Sequence, residues 1–233
     1  MTPRLIVTRA EPGASATAKA IAALRGEALV CPLFEIAPTG APLPSFDGVQ
    51  AMAFTSAHAA RAAGDAPRDL AVFAVGAATA KAATAAGFTV VYSASGDGAA
   101  LAGLIAAQLK PADGAVAHLH GDDLAFDLAS ALGAKGFSIR TAVVYRALEA
   151  DRLTGAQHAL CARGTGVLLH SPRGAAAAGR LLAPFAPQLS AFCISSATAV
   201  TARTAAFKDF KVAQRPQEEA LLACAFAQTD AQG

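Results

Sequence analysis

Residues 51–63 read AMAFTSAHAARAA, and residues 166–178 read GVLLHSPRGAAAA. Each is a short apolar run that ends in a serine and leads into an alanine-rich stretch. A short apolar run closed by a turn signal suits a buried strand. Serine followed by alanines is a helix start, because the hydroxyl satisfies a free backbone N–H and alanine is the strongest helix former. The chain therefore builds one strand–turn–helix device twice, and the flanking segments follow suit. AVFAVGAATAKAATAAGFTVV at 71–91 has its counterpart in AFCISSATAVTARTAAFKDFKVA at 191–213. RLIVTRAEPGASATAKAIAALRGEALVCPLFEI, from residue 4, has the same order as AVAHLHGDDLAFDLASALGAKGFSIRTAVVYRA, from residue 115. SASGDGAALAGLIAAQL closes the first pass and QRPQEEALLACAFAQ the second. Ser56 corresponds to Ser171, Thr79 to Thr198 and Phe88 to Phe210, at separations that grow only from 115 to 122 residues. One large period of this kind reads as a duplicated α/β unit and not as a solenoid, which stacks many short repeats.

Strands that alternate with helices imply parallel sheets covered on both faces. The runs LIV, AMAF, AVFAV, VAHL, GVLL and AFCI are short and apolar, as such strands should be. Right-handed crossovers bring the carboxyl ends of the strands to one edge, where ligands of α/β sheets bind. The residues there are Thr8 and Arg9, Thr55 and Ser56, Gly76 to Thr79, His120 and Gly121, His170 and Ser171, and Ser195 to Thr198. All read as small polar or glycine turns that enter helices. Free N–H groups and the helix dipole make such turns suited to anions, although each is also an ordinary helix cap.

Composition removes other classes. With 54% apolar and 15% charged residues the chain is compact and not disordered. A net charge of +2, with no basic stripe, is expected of a protein that does not bind nucleic acid. No apolar stretch reaches the length of a membrane span, and LIV is too short for a signal peptide. A cytoplasmic protein with no membrane partner is expected. Cys31, Cys161, Cys193 and Cys224 form no C-x-x-C pair and read as buried free thiols. There is no G-x-G-x-x-G after a strand, no phosphate-binding G-x-x-x-x-G-K and no G-x-S-x-G elbow. His118 and His120 share a strand face without a third ligand, so no metal site is expected. Asp122 and Asp123 are expected to open a helix. What remains is an anion-binding edge without a nucleophile, metal or dinucleotide.

Eight motifs in register carry a resemblance: VTR (7–9), PLFEI (32–36), FTSAHA (54–59), AVGAATA (74–80), GDGAAL (96–101), VVYRA (143–147), LHSPRGA (169–175) and ISSATA (194–199). The chain resembles the uroporphyrinogen-III synthase family from about Leu5 to Leu222. The resemblance implies two α/β domains, each a parallel sheet flanked by helices, joined by a two-stranded linker. The N-terminal strand–helix–strand unit is exchanged, so residues 1–37 and 149–233 form one domain and 38–148 the other. The crossovers then fall at IAPTGAPLP and RALEADR, and the two serine turns face each other across a cleft.

The family reaction uses no cofactor or metal. The substrate is hydroxymethylbilane, an octacarboxylate. It loses the hydroxyl of its terminal hydroxymethyl group, forms a spiro intermediate at ring D and re-closes with that ring inverted. The resemblance implies Tyr145 as the residue that assists loss of hydroxide. It implies Thr8, Arg9, Thr55, Ser56, Gly76, Thr79, Gly121, Ser171, Pro172, Arg173 and Thr198 as substrate-binding residues. Arg9, Arg146 and Arg173 would add positive charge for the carboxylates. The chain departs from the family at His58, where many members carry asparagine. It departs again after Gly121, where Leu124, Ala125 and Phe126 stand in place of a basic residue. A monomer is expected. A non-enzymatic two-domain sensor that closes on an anionic small molecule fits the same turns; Tyr145 favours the enzyme.

Overall fold

The computed structural model describes residues 2–94 and 96–227. The chain divides into two compact units: residues up to Glu35 together with those from Leu148 onward, and Ile36–Ala147. Each is an α/β sandwich.

The first unit holds strands β1 (Arg4–Val7), β2 (Glu27–Val30), β9 (Gly166–Leu169), β10 (Ser190–Cys193) and β11 (Asp209–Val212). They form one sheet in the order β11-β10-β9-β1-β2, with every pair parallel. Helices α1 (Gly13–Ala23) and α9 (Glu218–Phe226) belong to one face, and α6 (Gly155–Cys161), α7 (Pro172–Leu181) and α8 (Ser196–Ala202) to the other. Alternation along the strands produces this. Leu5, Val7, Leu168 and Phe192 meet Ile21 and Leu221, whereas Ile6, Val167, Leu169 and Ala191 meet Ala175, Ala178 and Leu182. Both faces are apolar, so the strands read as continuous apolar runs.

The second unit holds β3 (Phe34–Pro38), β4 (Val49–Phe54), β5 (Ala71–Ala74), β6 (Val91–Ser93), β7 (Ala115–Gly121) and β8 (Ile139–Glu149), in the order β3-β8-β7-β4-β5-β6. Helices α2 (Ala57–Arg61) and α3 (Ala77–Ala85) pack on Met52, Phe54, Ala117 and Leu119. Helices α4 (Gly98–Gln108) and α5 (Leu128–Gly133) pack on Ala51, Ala53, Phe73 and Val116. The pairs β4–β5, β5–β6, β4–β7 and β7–β8 are parallel. β3 runs antiparallel to β8, since Ala150 N–H bonds Leu33 O at 2.9 Å while Thr39 N–H bonds Val144 O at 3.1 Å. Both passages of the chain between the units, at 35/36 and 147/148, therefore lie inside paired strands and not in open coil.

Setting β9, β10, β11, β1 and β2 against β4, β5, β6, β7 and β8 gives the two sheets the same strand order. β5 and β10 begin at 71 and 190, and α3 and α8 at 77 and 196, a constant separation of 119. That separation pairs Phe88 with Phe207 and not with Phe210. Phe88 and Phe207 are both buried just before an edge strand, whereas Phe210 lies within β11 and only packs against the core.

Two expected helix starts differ. Asp122 and Asp123 do not open a helix; α5 begins at Leu128, where Asp127 accepts from Ser130 N–H at 2.9 Å and from its hydroxyl at 2.6 Å. Just ahead of that start, the Phe126 ring occupies the space that Gly98 leaves. Thr8 and Arg9 are likewise separated from α1 by a turn that ends at Pro12, which offers no capping side chain.

Candidate functional site

At the carboxyl edge of the second sheet, β4 leads into Thr55 and Ser56. Ser56 caps α2, its hydroxyl accepting from His58 N–H at 3.1 Å. Across β7, Tyr145 of β8 lies in register with Gly121, where a bulge interrupts the ladder. Its ring crosses over Gly121 so closely that a Cβ there would stand 2.5 Å from Cζ and 2.8 Å from the hydroxyl oxygen. The ring centroid is 5.4 Å from that of His58. The backbone is fixed as well, with Asp122 N–H bonding Tyr145 O at 3.2 Å. Burial raises the phenol pKa above its ordinary 10, a hydrogen bond with Ser56 opposes this, and the nearby Asp122 and Asp123 add to the rise. Tyr145 is therefore a protonated, half-buried donor at neutral pH, aimed by a turn, a strand and a glycine.

On the opposite face of β7 lie His118 and His120, both buried, with ring centroids 4.7 Å apart. His120 Nδ1 is 2.7 Å from the Gly121 carbonyl oxygen; a carbonyl only accepts, so Nδ1 carries the proton. His118 Nε2 lies 3.2 Å from Thr55 Oγ1. Burial, reinforced by His120 and opposed by Asp127, lowers the His118 pKa to about 4, so its ring is neutral at physiological pH. Among the described residues no group of three or more His, Cys, Asp or Glu is placed to hold a metal ion.

The edge of the first sheet is built round Glu218, the first residue of α9. Its carboxylate accepts from Arg9 Nη1 at 3.1 Å, from His170 Nε2 at 2.9 Å and from the Thr17 hydroxyl at 2.5 Å. Burial pushes the Glu218 carboxyl up, but His170, Thr17 and Arg9 together outweigh it and hold the pKa below the ordinary 4.5. Gly13 makes room for Arg9, since a Cβ there would meet its Nε at 2.5 Å. Beside His170, Ser171 caps α7 by accepting from Gly174 N–H at 3.0 Å, Pro172 occupies the first helical position, and Arg173 lies over the Phe34 ring at 5.1 Å. Ser195 caps α8, accepting from Thr198 N–H at 3.3 Å, with the two hydroxyls 3.0 Å apart.

Glu218 gives the unit an acid-sensitive latch. A carboxyl whose folded pKa is depressed stabilises fully above its unfolded pKa, and that contribution disappears as pH falls through the folded value. Glu218→Gln is expected to cost about 1–2 kcal/mol near pH 7, after discounting for partial exposure of the pair. The difference from wild type should shrink below pH 4.5. Urea unfolding of both proteins at pH 7 and pH 4 measures it; a pH-independent difference would rule the latch out.

Over residues 15–223 the chain matches the family described as uroporphyrinogen-III synthase HemD. The chain belongs to the uroporphyrinogen-III synthase family. Solved structures share its fold, among them the following two. The uroporphyrinogen-III synthetase of Helicobacter pylori 26695 aligns with a TM-score of 0.68 at 19% identity, covering 98% of this chain and 100% of that one. A mutant uroporphyrinogen III synthase from the extremely thermophilic bacterium Thermus thermophilus aligns with a TM-score of 0.53 at 17% identity, over 98% and 100%. No curated protein sequence matches the chain. At such identities the likeness concerns the fold, and the site rests on this chain's own residues.

The residues that the uroporphyrinogen-III synthase motifs singled out fall into separate groups. Thr55, Ser56, Gly121 and Tyr145 come together at the edge of the second sheet, with Gly76 capping α3 on the same sheet. Arg9, Ser171, Pro172 and Arg173 lie at the edge of the first. Thr8, Thr79 and Thr198 are buried. Thr8 donates to Leu168 O at 3.1 Å and Thr198 is tied to its own cap, so these hydroxyls brace the edges from within. The Arg9 guanidinium is engaged by Glu218. Arg146 is exposed. The motifs passed over His118, Thr17 and Glu218, and His170, inside LHSPRGA, was given no role of its own. A glutamate at a helix start is ordinary, and its partners Arg9 and Thr17 lie more than 200 residues away, so no local pattern marked it. All four cysteines are free, and Cys31 and Cys161 are buried with their sulfurs 3.6 Å apart, a proximity that their spacing did not reveal.

Proposed function

We propose that this chain is a cofactor-independent lyase that cyclises hydroxymethylbilane, with inversion of ring D and loss of water, to uroporphyrinogen III in tetrapyrrole (heme) biosynthesis. The observation that carries the reading, beyond membership of the family, is Tyr145: a phenol kept protonated, held against Ser56 and His58, and seated over Gly121. The first chemical step needs a proton or hydrogen bond at the departing hydroxyl oxygen. A pyrrole nitrogen lone pair drives out that oxygen and leaves an azafulvene. A protonated phenol stabilises the charge that grows on the leaving oxygen without being ionised itself. Ring D then attacks through its substituted carbon, the spiro centre opens, and re-closure followed by proton loss from the ring carbon completes the balance: one water lost, two carbon–carbon bonds made and one broken.

The remaining work is orientation, because the flexible substrate left alone closes without inversion. Thr55, Ser56, Gly76 and Gly121 supply carboxylate contacts at the second sheet. Ser171, Pro172 and Arg173 supply them at the first, where exposed helix N-termini suit anions. We assign Thr8 and Thr198 an indirect part, through the turns that they brace, and Thr79, buried at the start of α3, a part in shaping that turn. Arg9, bound by Glu218, contributes through its other N–H donors. The two units act as domains, and the protein works as a cytoplasmic monomer on a small-molecule substrate, without nucleic acid or membrane. No helix among the described residues is long and apolar enough to cross a membrane.

The test is conversion of hydroxymethylbilane by the purified protein, scoring type III against type I product. Type III in excess is expected, with full activity after exhaustive dialysis against EDTA. Type I alone, as in buffer, would overturn the function. Activity that EDTA abolishes and a divalent cation restores would overturn its independence of metal.

A further inference from the structure

We propose that His118 is a positioning residue: its Nε2–H donates to Thr55 Oγ1 and so turns the Thr55 hydroxyl hydrogen towards a substrate carboxylate. The inference deepens the functional reading and rests on it, since it takes Thr55 as a carboxylate contact.

Three observations lead here. His118 is 1% exposed, on the face of β7 that also carries Val116, the same sheet face as Ala51, Ala53 and Phe73. An apolar side chain would fill that place without the cost of burying an imidazole, so the ring's polar atoms need a use. Next, β4 and β7 pair Ala53 with His118, and Thr55 follows two residues on, which puts its side chain on the same face at the sheet edge. The resulting contact is 3.2 Å between Nε2 and Oγ1, and Thr55 remains partly exposed whereas His118 does not. The third concerns the proton. A neutral imidazole has one donor and one acceptor nitrogen. If Nε2 were bare, the threonine would donate to it and present only lone pairs to a ligand, which repel a carboxylate. If Nε2 carries the proton, the threonine accepts from the ring and its own O–H is free to donate outward. Carboxylate binding by Thr55 therefore demands the Nε2–H tautomer. The lowered pKa of His118, caused by burial and by His120, keeps the ring from becoming a donor at both nitrogens.

Two measurements on the full-length protein test this. Nitrogen-15 NMR of wild type reads the tautomer directly, because protonated and bare ring nitrogens resonate far apart. A protonated Nε2 is expected at pH 7; a bare Nε2 overturns the proposal whatever the kinetics show. In steady-state assays with hydroxymethylbilane, His118→Phe is expected to raise KM roughly tenfold while kcat and the type III fraction hold, the loss of one oriented hydrogen bond to a charged group. His118→Gln, whose amide N–H can reach Thr55, should recover most of the loss. Thr55→Val should raise KM similarly and add little in the His118→Phe background. Additive effects, or a fall in kcat at unchanged KM, count against it. If His118→Phe does not fold, His118→Gln against Thr55→Val still decides. A wild-type protein that makes no type III product sinks the functional reading itself, and that failure is distinct from a bare Nε2.

Discussion

Tyr145→Phe is expected to lower kcat ten- to a hundredfold while leaving the fold and the product intact. The phenol hydroxyl is the only atom lost, and the ring still crosses Gly121 and packs beside His58. If the hydroxyl stabilises the departing oxygen, its removal deletes one hydrogen bond to a developing charge, about 1.5–3 kcal/mol, and the rate falls by the corresponding factor. Binding by the capped turns should persist, so KM stays within a few-fold. The product released by the slow variant should remain type III, because its geometry is set by the binding residues. Some type I will accumulate from uncatalysed closure in solution. Full rate in Tyr145→Phe would make the tyrosine structural. A collapse in affinity with kcat retained would make it a binding anchor.

The strands were legible because burial on both faces leaves a mark that needs no partner: GVLL, AMAF and AVFAV are apolar at every position, whichever strands they pair with. The serine turns were legible for a similar reason, since a helix cap is satisfied within three residues. The start of α5 was not. Asp122, Asp123 and Asp127 are equally good caps by local chemistry, and only Asp127 takes the cap, a choice that local chemistry does not make. Pattern alone pairs Phe88 with Phe210, another phenylalanine near an edge strand, whereas burial selects Phe207. The site divides along the same line. Tyr145 lies in the motif VVYRA and Gly121 reads as a strand end, but their seating depends on the register of β7 and β8 and on one bulge, which no local pattern encodes. By spacing, His118 is only a strand residue without a third ligand. Its partner is a threonine hydroxyl at the end of the neighbouring strand, and metal-ligand spacing does not detect that.

Gly121→Ala is expected to cost roughly a hundredfold in kcat, at least as much as removing the tyrosine hydroxyl, although it changes nothing polar. The backbone at Gly121 does not require glycine, since its φ lies outside the left-handed region. What requires glycine is the ring, because an added methyl would stand 2.5 Å from Cζ and 2.8 Å from Cε2. Real carbon atoms keep about 3.5 Å or more, so the phenol must shift by about an ångström. It would leave the Ser56 hydroxyl and the place of the leaving oxygen together. The strand leading up to Gly121 is buried and paired, and Asp122 N–H beyond it is held by Tyr145 O, so the ring yields and not the sheet. Overpacking costs about 1–3 kcal/mol of stability, measurable by urea unfolding and small enough to leave a folded enzyme. The double variant separates displacement from damage. In a Tyr145→Phe background the hydroxyl is already gone, so adding Gly121→Ala should lower the rate by only a few-fold further. If the two losses multiply instead, Gly121 contributes by something other than seating Tyr145, such as its own approach to the substrate. If Gly121→Ala alone keeps the wild-type rate, the ring can move without consequence, and a phenol that need not be placed is not the group that assists departure of hydroxide.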